Sequence, residues 1–139
     1  MLKTILLATC LLAAPLAARA AEHFHADLKG SAEVPPTGSA GTGTAEATFD
    51  PATKKLDYTV TGSGLSGPAT MAHFHGPAPA GANAGVLVPL AVTPTMPVTG
   101  SATLTDSQVA SLEAGNWYVN VHTAAHPGGE IRGQVEKAP

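Results

Sequence analysis

The stretch from 116 to 136, NWYVNVHTAAHPGGEIRGQVE, decides how the rest of the chain is read. Trp117, Val119 and Val121 alternate with Tyr118, Asn120 and His122, the period-2 pattern of a strand with one face on a core. Pro127, Gly128 and Gly129 then supply turn chemistry, and a second alternation follows. It places Ile131, Gly133 and Val135 inward and Glu130, Arg132 and Gln134 outward. Two alternating runs joined by a short turn form an antiparallel pair.

Working outward, the same grammar recurs. Alternating or apolar runs at 22–28, 43–49, 55–61, 69–75, 85–92, 98–104, 116–123 and 129–136 predict eight strands. Between them stand Pro35-Pro36, Asp50-Pro51, the segment 62–68, the Pro- and Ala-rich loop 77–83, residues 93–97 and Pro127 to Gly129. The expected architecture is all-β: a Greek-key sandwich or flattened barrel of about eight antiparallel strands. One helical turn interrupts it. Thr105 and Gln108 have the spacing of a capping box, Val109 and Leu112 would face the core, and Gly115 would end the helix.

The chain has 139 residues, with 7 basic, 10 acidic and 6 histidine side chains and 1 cysteine. Residues 1–20, MLKTILLATCLLAAPLAARA, have a cationic start, an apolar run and a small-residue end, which reads as a secretory signal peptide. Cleavage after Ala20 would leave residues 21–139 as one β domain and remove Lys3, Arg19 and Cys10. The exported form would be acidic, with no thiolate ligand and no disulfide, in the periplasm or outside the cell. Nucleic acid is excluded as a partner by the charge, and a membrane span by the lack of a second long apolar run.

All six histidines lie beyond the leader, as His23-x-His25, His73-x-His75, and His122 with His126. In each H-x-H the intervening phenylalanine, Phe24 or Phe74, belongs to the core, so both imidazoles point the other way. His73, His75 and Met71 would then share an outer surface with His122. His126, in the turn before Pro127, can fold back as a fourth ligand. Neighbouring strands bring such side chains within about 5–7 Å, close enough for one ion. The candidate metal residues are therefore His73, His75, His122, His126, Met71, His23 and His25, with Asp27 or Glu130 as possible oxygen donors.

Imidazoles suit copper, zinc and nickel, and the Met71 thioether favours copper. An N-terminus at Ala21 would also place His23 third in the chain, where amine, two amides and imidazole can surround Cu(II) or Ni(II) in a square plane. Glu130 and Arg132 sit on one strand face, where they can pair with each other. Glu130, Arg132 or Gln134 can alternatively lie behind a ligand ring and fix its tautomer. No Ser/His/Asp or paired-carboxylate arrangement points to a hydrolase.

Four segments, FHADLKGSAEVPP (24–36), LDYTVTGSGLSG (56–67), AHFHGPAPAG (72–81) and LEAGNWYVNVHTAAHPGGEIRGQ (112–134), together resemble the CHRD domain, named from chordin. The resemblance implies an extracellular or periplasmic β-sandwich; the chordin members bind secreted growth factors and are not enzymes. It carries over to His73, His75, His122, Gly128, Gly129, Glu130, Arg132, Gly133 and Gln134. Family members often have Asn where His126 stands, and the His23/His25 pair lies outside the family pattern. A looser similarity, in the H-x-H strand and the Gly-Arg ending, is to copper-zinc superoxide dismutase. Three functions are thus expected to compete: copper capture for buffering, delivery or resistance; a dismutase-like copper enzyme; and an extracellular interaction module that binds another exported protein.

Overall fold

The computed structural model describes residues 19–92 and 95–139; the expected leader lies almost wholly outside them. Eight strands form one antiparallel sheet: β1 (Glu22–Lys29), β2 (Thr42–Asp50), β3 (Lys55–Val60), β4 (Ala69–His75), β5 (Val86–Pro89), β6 (Val98–Thr103), β7 (Trp117–Thr123) and β8 (Ile131–Lys137). Their order, β5-β4-β7-β8-β1-β2-β3-β6, curls the sheet into a nearly closed barrel. The long passages from β3 to β4, β5 to β6 and β6 to β7 give the expected Greek-key connectivity. A 3₁₀ turn at Gly30–Ala32 is an addition that the alternation does not signal.

The alternation read from the sequence sets the faces. Phe24, Phe49, Phe74, Leu56, Val60, Trp117, Val119, Val121 and Ile131 are all buried inside the barrel. Tyr58 packs edge-on against Phe74, with ring centroids 5.4 Å apart, and Trp117 lies on the other side of Phe74. The one α-helix among the described residues, α1 (Asp106–Glu113), starts with the complete capping box at Thr105 and Gln108. It turns Leu112 into the core and lets Ser111 accept the Trp117 indole N–H at 2.8 Å.

Two strands have an end that departs from its expected position by two residues or more. β5 ends at Pro89, which has no N–H to continue a ladder, although Leu90 N–H still donates to Ala72. β8 begins at Ile131 because Gly129, with φ +126°, belongs to the turn. No helix among the described residues is long and apolar enough to cross a membrane.

β7 is buried along its whole length, on both faces. Its inner face meets the core. Its outer face is covered by the loop 76–85, which is strapped down from below. Gln134 Nε2 donates to Ala78 and Gly115 carbonyls, Arg132 donates to Asn83 Oδ1 and to the Ala82 carbonyl, and Tyr118 exchanges hydrogen bonds with Ala84. Asn83 in turn donates to the Val34 carbonyl, tying this loop to the β1–β2 connection.

Candidate metal centre

Register places the histidines. β4 and β7 pair so that His75 faces Tyr118, His73 faces Asn120 and Met71 faces His122, all on the sheet's outer side. Phe74 and Val119 take the inner side, as the alternation demands. His73, His75 and His122 converge: one ring nitrogen from each lies within 4.8 Å of the other two. His73 Nδ1 is 3.2 Å from His122 Nε2, and the His73 ring sits edge-on to His75 and His122 at 5.3 and 5.0 Å. Imidazole nitrogens on a tetrahedral ion with bonds of about 2.0–2.1 Å stand roughly 3.3 Å apart. The His73–His122 pair already has that spacing.

The rings are held from behind by main chain. His75 Nδ1 lies 3.0 Å from the Ala84 carbonyl and His122 Nδ1 lies 2.9 Å from the Pro127 carbonyl. A carbonyl only accepts, so both rings carry a proton on Nδ1 and, when neutral, a lone pair on Nε2. Both Nε2 atoms stand 3.0 Å from Asn120 Oδ1. His75 also stacks flat on Tyr118, with centroids 4.7 Å apart, and the Arg132 guanidinium lies 3.4 Å over the other side of that ring. Tyr118 is therefore a spacer that fixes the plane of His75.

Burial favours neutral imidazoles. It pulls His73 below the usual value, helped by the neighbouring His122 and His75. It pulls His75 down as well, against the opposing hydrogen bonds to Ala84 and Asn120. Neutral rings are what a metal needs. The triad is not the exposed surface that the alternation alone suggested: His75 and His122 are only 9% and 6% exposed, and only His73 is half-open to solvent. The correction has a physical cause in the connections: the loop 76–85 reaches His75 through Ala84, and the β7–β8 turn reaches His122 through Pro127.

The family model of the CHRD domain matches residues 24–135. The chain belongs to the CHRD family. No curated protein and no solved structure matches it.

Other expected participants take different places in this CHRD domain. His126 sits in the turn after β7, its N–H on the Thr123 carbonyl, with its ring near Glu33 and outside the triad. Met71 is paired with His122 across the strands and is 45% exposed. His23 and His25 lie two and more strands away, on the far side of β8. His23 contacts Thr48, while His25 bridges Glu46 at 2.6 Å and Asp27 at 3.0 Å. These carboxylates, Glu46 first, raise the His25 pKa, the opposite of a ligand's need. A cleft of about 600 Å³ opens beside His25, away from the triad. The square-planar site is blocked in the folded chain, because Glu22 and His23 are paired with Phe49 and Thr48 of β2.

Glu130 touches no imidazole and does not pair with Arg132. Its carboxylate accepts from Ser39 Oγ, Ser66 N–H, Ser66 Oγ and Thr123 Oγ1 at 2.6–2.8 Å. Arg132 stacks on the Tyr118 ring that carries His75, and its charge also helps to lower the His75 pKa, while Gln134 holds the loop. The residues that sequence reasoning missed are Asn120, Tyr118, the carbonyls of Ala84 and Pro127, and Glu33. Asn120 and Tyr118 could have been found, since they share the outward parity of His122.

Proposed function

We propose that this CHRD protein is an exported metal-binding protein that captures a transition-metal ion, copper first, through His73, His75 and His122. The observation that carries the reading is the convergence of three ring nitrogens within 4.8 Å on two paired strands. Two further features support it: Nδ1 of two rings is committed to carbonyls, and burial keeps His73 and His75 neutral. Copper is preferred over zinc or nickel because the donors are imidazoles, a thioether-bearing residue, Met71, is paired with His122, and no cysteine follows residue 10. Export rests on the leader-like residues 1–20. Buffering, delivery or resistance in the periplasm or outside the cell is the corresponding role.

A dismutase-like copper enzyme is the second reading. Its support is the half-open His73 side, where a loaded ion can keep one position for a small oxidant. The deciding experiment loads the purified protein with Cu(II) and Zn(II), measures bound metal and records electron paramagnetic resonance of the copper form. One ion per chain in wild type, lost in His73→Ala and in His122→Ala, is the expected result. Equal uptake by wild type and the two variants refutes metal capture and leaves the interaction module. A superoxide assay on the loaded protein separates the first reading from the second.

A further inference from the structure

Asn120 stands between the metal cluster and a buried acid. With Nδ1 protons of His75 and His122 directed at carbonyls, the two Nε2 lone pairs and Asn120 Oδ1 face each other at 3.0 Å, acceptor against acceptor. An amide rotated by 180° would remove the conflict, since its NH2 would donate to both rings. That rotation would satisfy the rings without an ion and cap the lone pairs an ion must use.

The group that opposes it is Glu33. This carboxylate, in the β1–β2 connection, is 6% exposed, and its Oε1 has no hydrogen-bond partner. Burial raises its pKa, while the Arg132 charge and the donor side of the Asn120 amide draw it down. A rotated Asn120 would turn its oxygen on that carboxylate, in a setting where an unpaired acceptor is costly. Gly129 leaves the room: a Cβ there would collide with both the Glu33 carboxylate and Asn120 Nδ2.

We infer that Glu33 is the positioning residue of the metal centre. It takes the NH2 end of Asn120, keeps Oδ1 on the imidazoles, and so leaves His75 Nε2 and Asn120 Oδ1 as facing acceptors that a cation satisfies, while His122 Nε2 has His73 Nδ1, 3.2 Å away, as its one neighbouring donor. The inference rests on the metal-binding reading. It also gives Asn120 Oδ1 a place beside the three nitrogens as an oxygen donor to a divalent transition ion.

The test is Cu(II) and Zn(II) titration of the full chain against a competing chelator. Glu33→Gln frees the amide to rotate, and binding should weaken by about 10–100-fold, the usual effect of removing a partner behind a ligand. Glu33→Gln combined with Asn120→Asp restores binding to near wild type, because the carboxylate introduced at position 120 has no NH2 to present and the amide introduced at position 33 can donate to it. A merely structural Glu33 would not be rescued this way. Wild-type affinity in Glu33→Gln, or no recovery in the double variant, overturns the inference while metal capture stands. If wild type binds no ion, both readings fall together. Should Glu33→Gln not fold, nuclear Overhauser contacts of the Asn120 NH2 protons in the metal-free wild type decide. Contacts to Glu33 are expected, and contacts to the His75 and His122 ring protons instead overturn the proposal.

Discussion

Glu130 is a fully buried carboxylate with no ion pair among the described residues, and it offers a quantitative test of the fold. Burial alone would raise its pKa, yet hydrogen bonds from Ser39, Thr123 and Ser66 bring it from 4.5 down to about 2. The folded pKa is depressed, so the stabilisation is fully present above pH 4.5 and is lost as pH falls from there towards 2. At 1.36 kcal/mol per pKa unit the drop corresponds to about 3 kcal/mol. Glu130→Gln removes the titration but keeps most contacts: its carbonyl can accept from Ser39 Oγ and Ser66 N–H, and its NH2 can donate to the Ser66 and Thr123 hydroxyls. The variant should lose about 1–3 kcal/mol at pH 7, the cost of replacing charged hydrogen bonds by neutral ones. Urea denaturation at intervals from pH 7 to 2.5 measures both. The other carboxylates titrate equally in the two proteins, so the wild-type advantage should shrink steadily below pH 4.5. A difference that stays constant to pH 2.5 would show that the carboxylate is not held ionised by its four donors, and the argument from geometry would fail.

Two further outcomes are expected. The His73 and His75 rings should protonate only below the usual imidazole value of 6.5, because burial, followed by the neighbouring imidazoles, lowers His73 and burial lowers His75; a pH titration of their ring proton resonances in the metal-free protein checks this, and midpoints at or above 6.5 for these two rings contradict it. Arg132→Lys keeps the charge but loses the planar stack on Tyr118 and one of the two donors to Asn83 and Ala82. It should cost about 1–3 kcal/mol and speed amide hydrogen exchange in the loop 76–85, while exchange in β2 and β3 is unchanged.

Much of this architecture is legible in the chain because alternation is a local property. Phe24 between His23 and His25, Phe74 between His73 and His75, and Val121 between Asn120 and His122 each announce their inner face without knowledge of any partner strand. The helix start at Thr105 is local too. What lay beyond reading is what covers the outer face. Arg132 meets Asn83 across 49 positions and Gln134 meets Ala78 across 56, through a loop whose Pro, Ala and Gly residues carry no periodic signal. A surface cluster was therefore expected where the fold makes a mostly buried one. The same gap hid Glu33, an isolated acid in a connection before two prolines, and misplaced Glu130, whose donors come from three separate segments. His126 failed differently: four residues after His122 is a statement about spacing, and in a turn spacing does not set direction.

The histidine cluster consequently depends on loops as much as on strands. β4 and β7 set the positions of the three rings, but the tautomer of His75 is chosen by Ala84 and that of His122 by Pro127, carbonyls contributed by the β4–β5 and β7–β8 connections. The orientation of Asn120 is governed from a third, the β1–β2 connection, which Asn83 ties to the first through the Val34 carbonyl. A ring whose Nδ1 loses its carbonyl is free to move its proton to Nε2, which removes the lone pair needed for an ion. Loosening these connections therefore acts on the imidazoles without touching them. By the same coupling, an ion bound among the nitrogens tightens the three connections and slows their local opening, since whatever binds the closed form alone stabilises it.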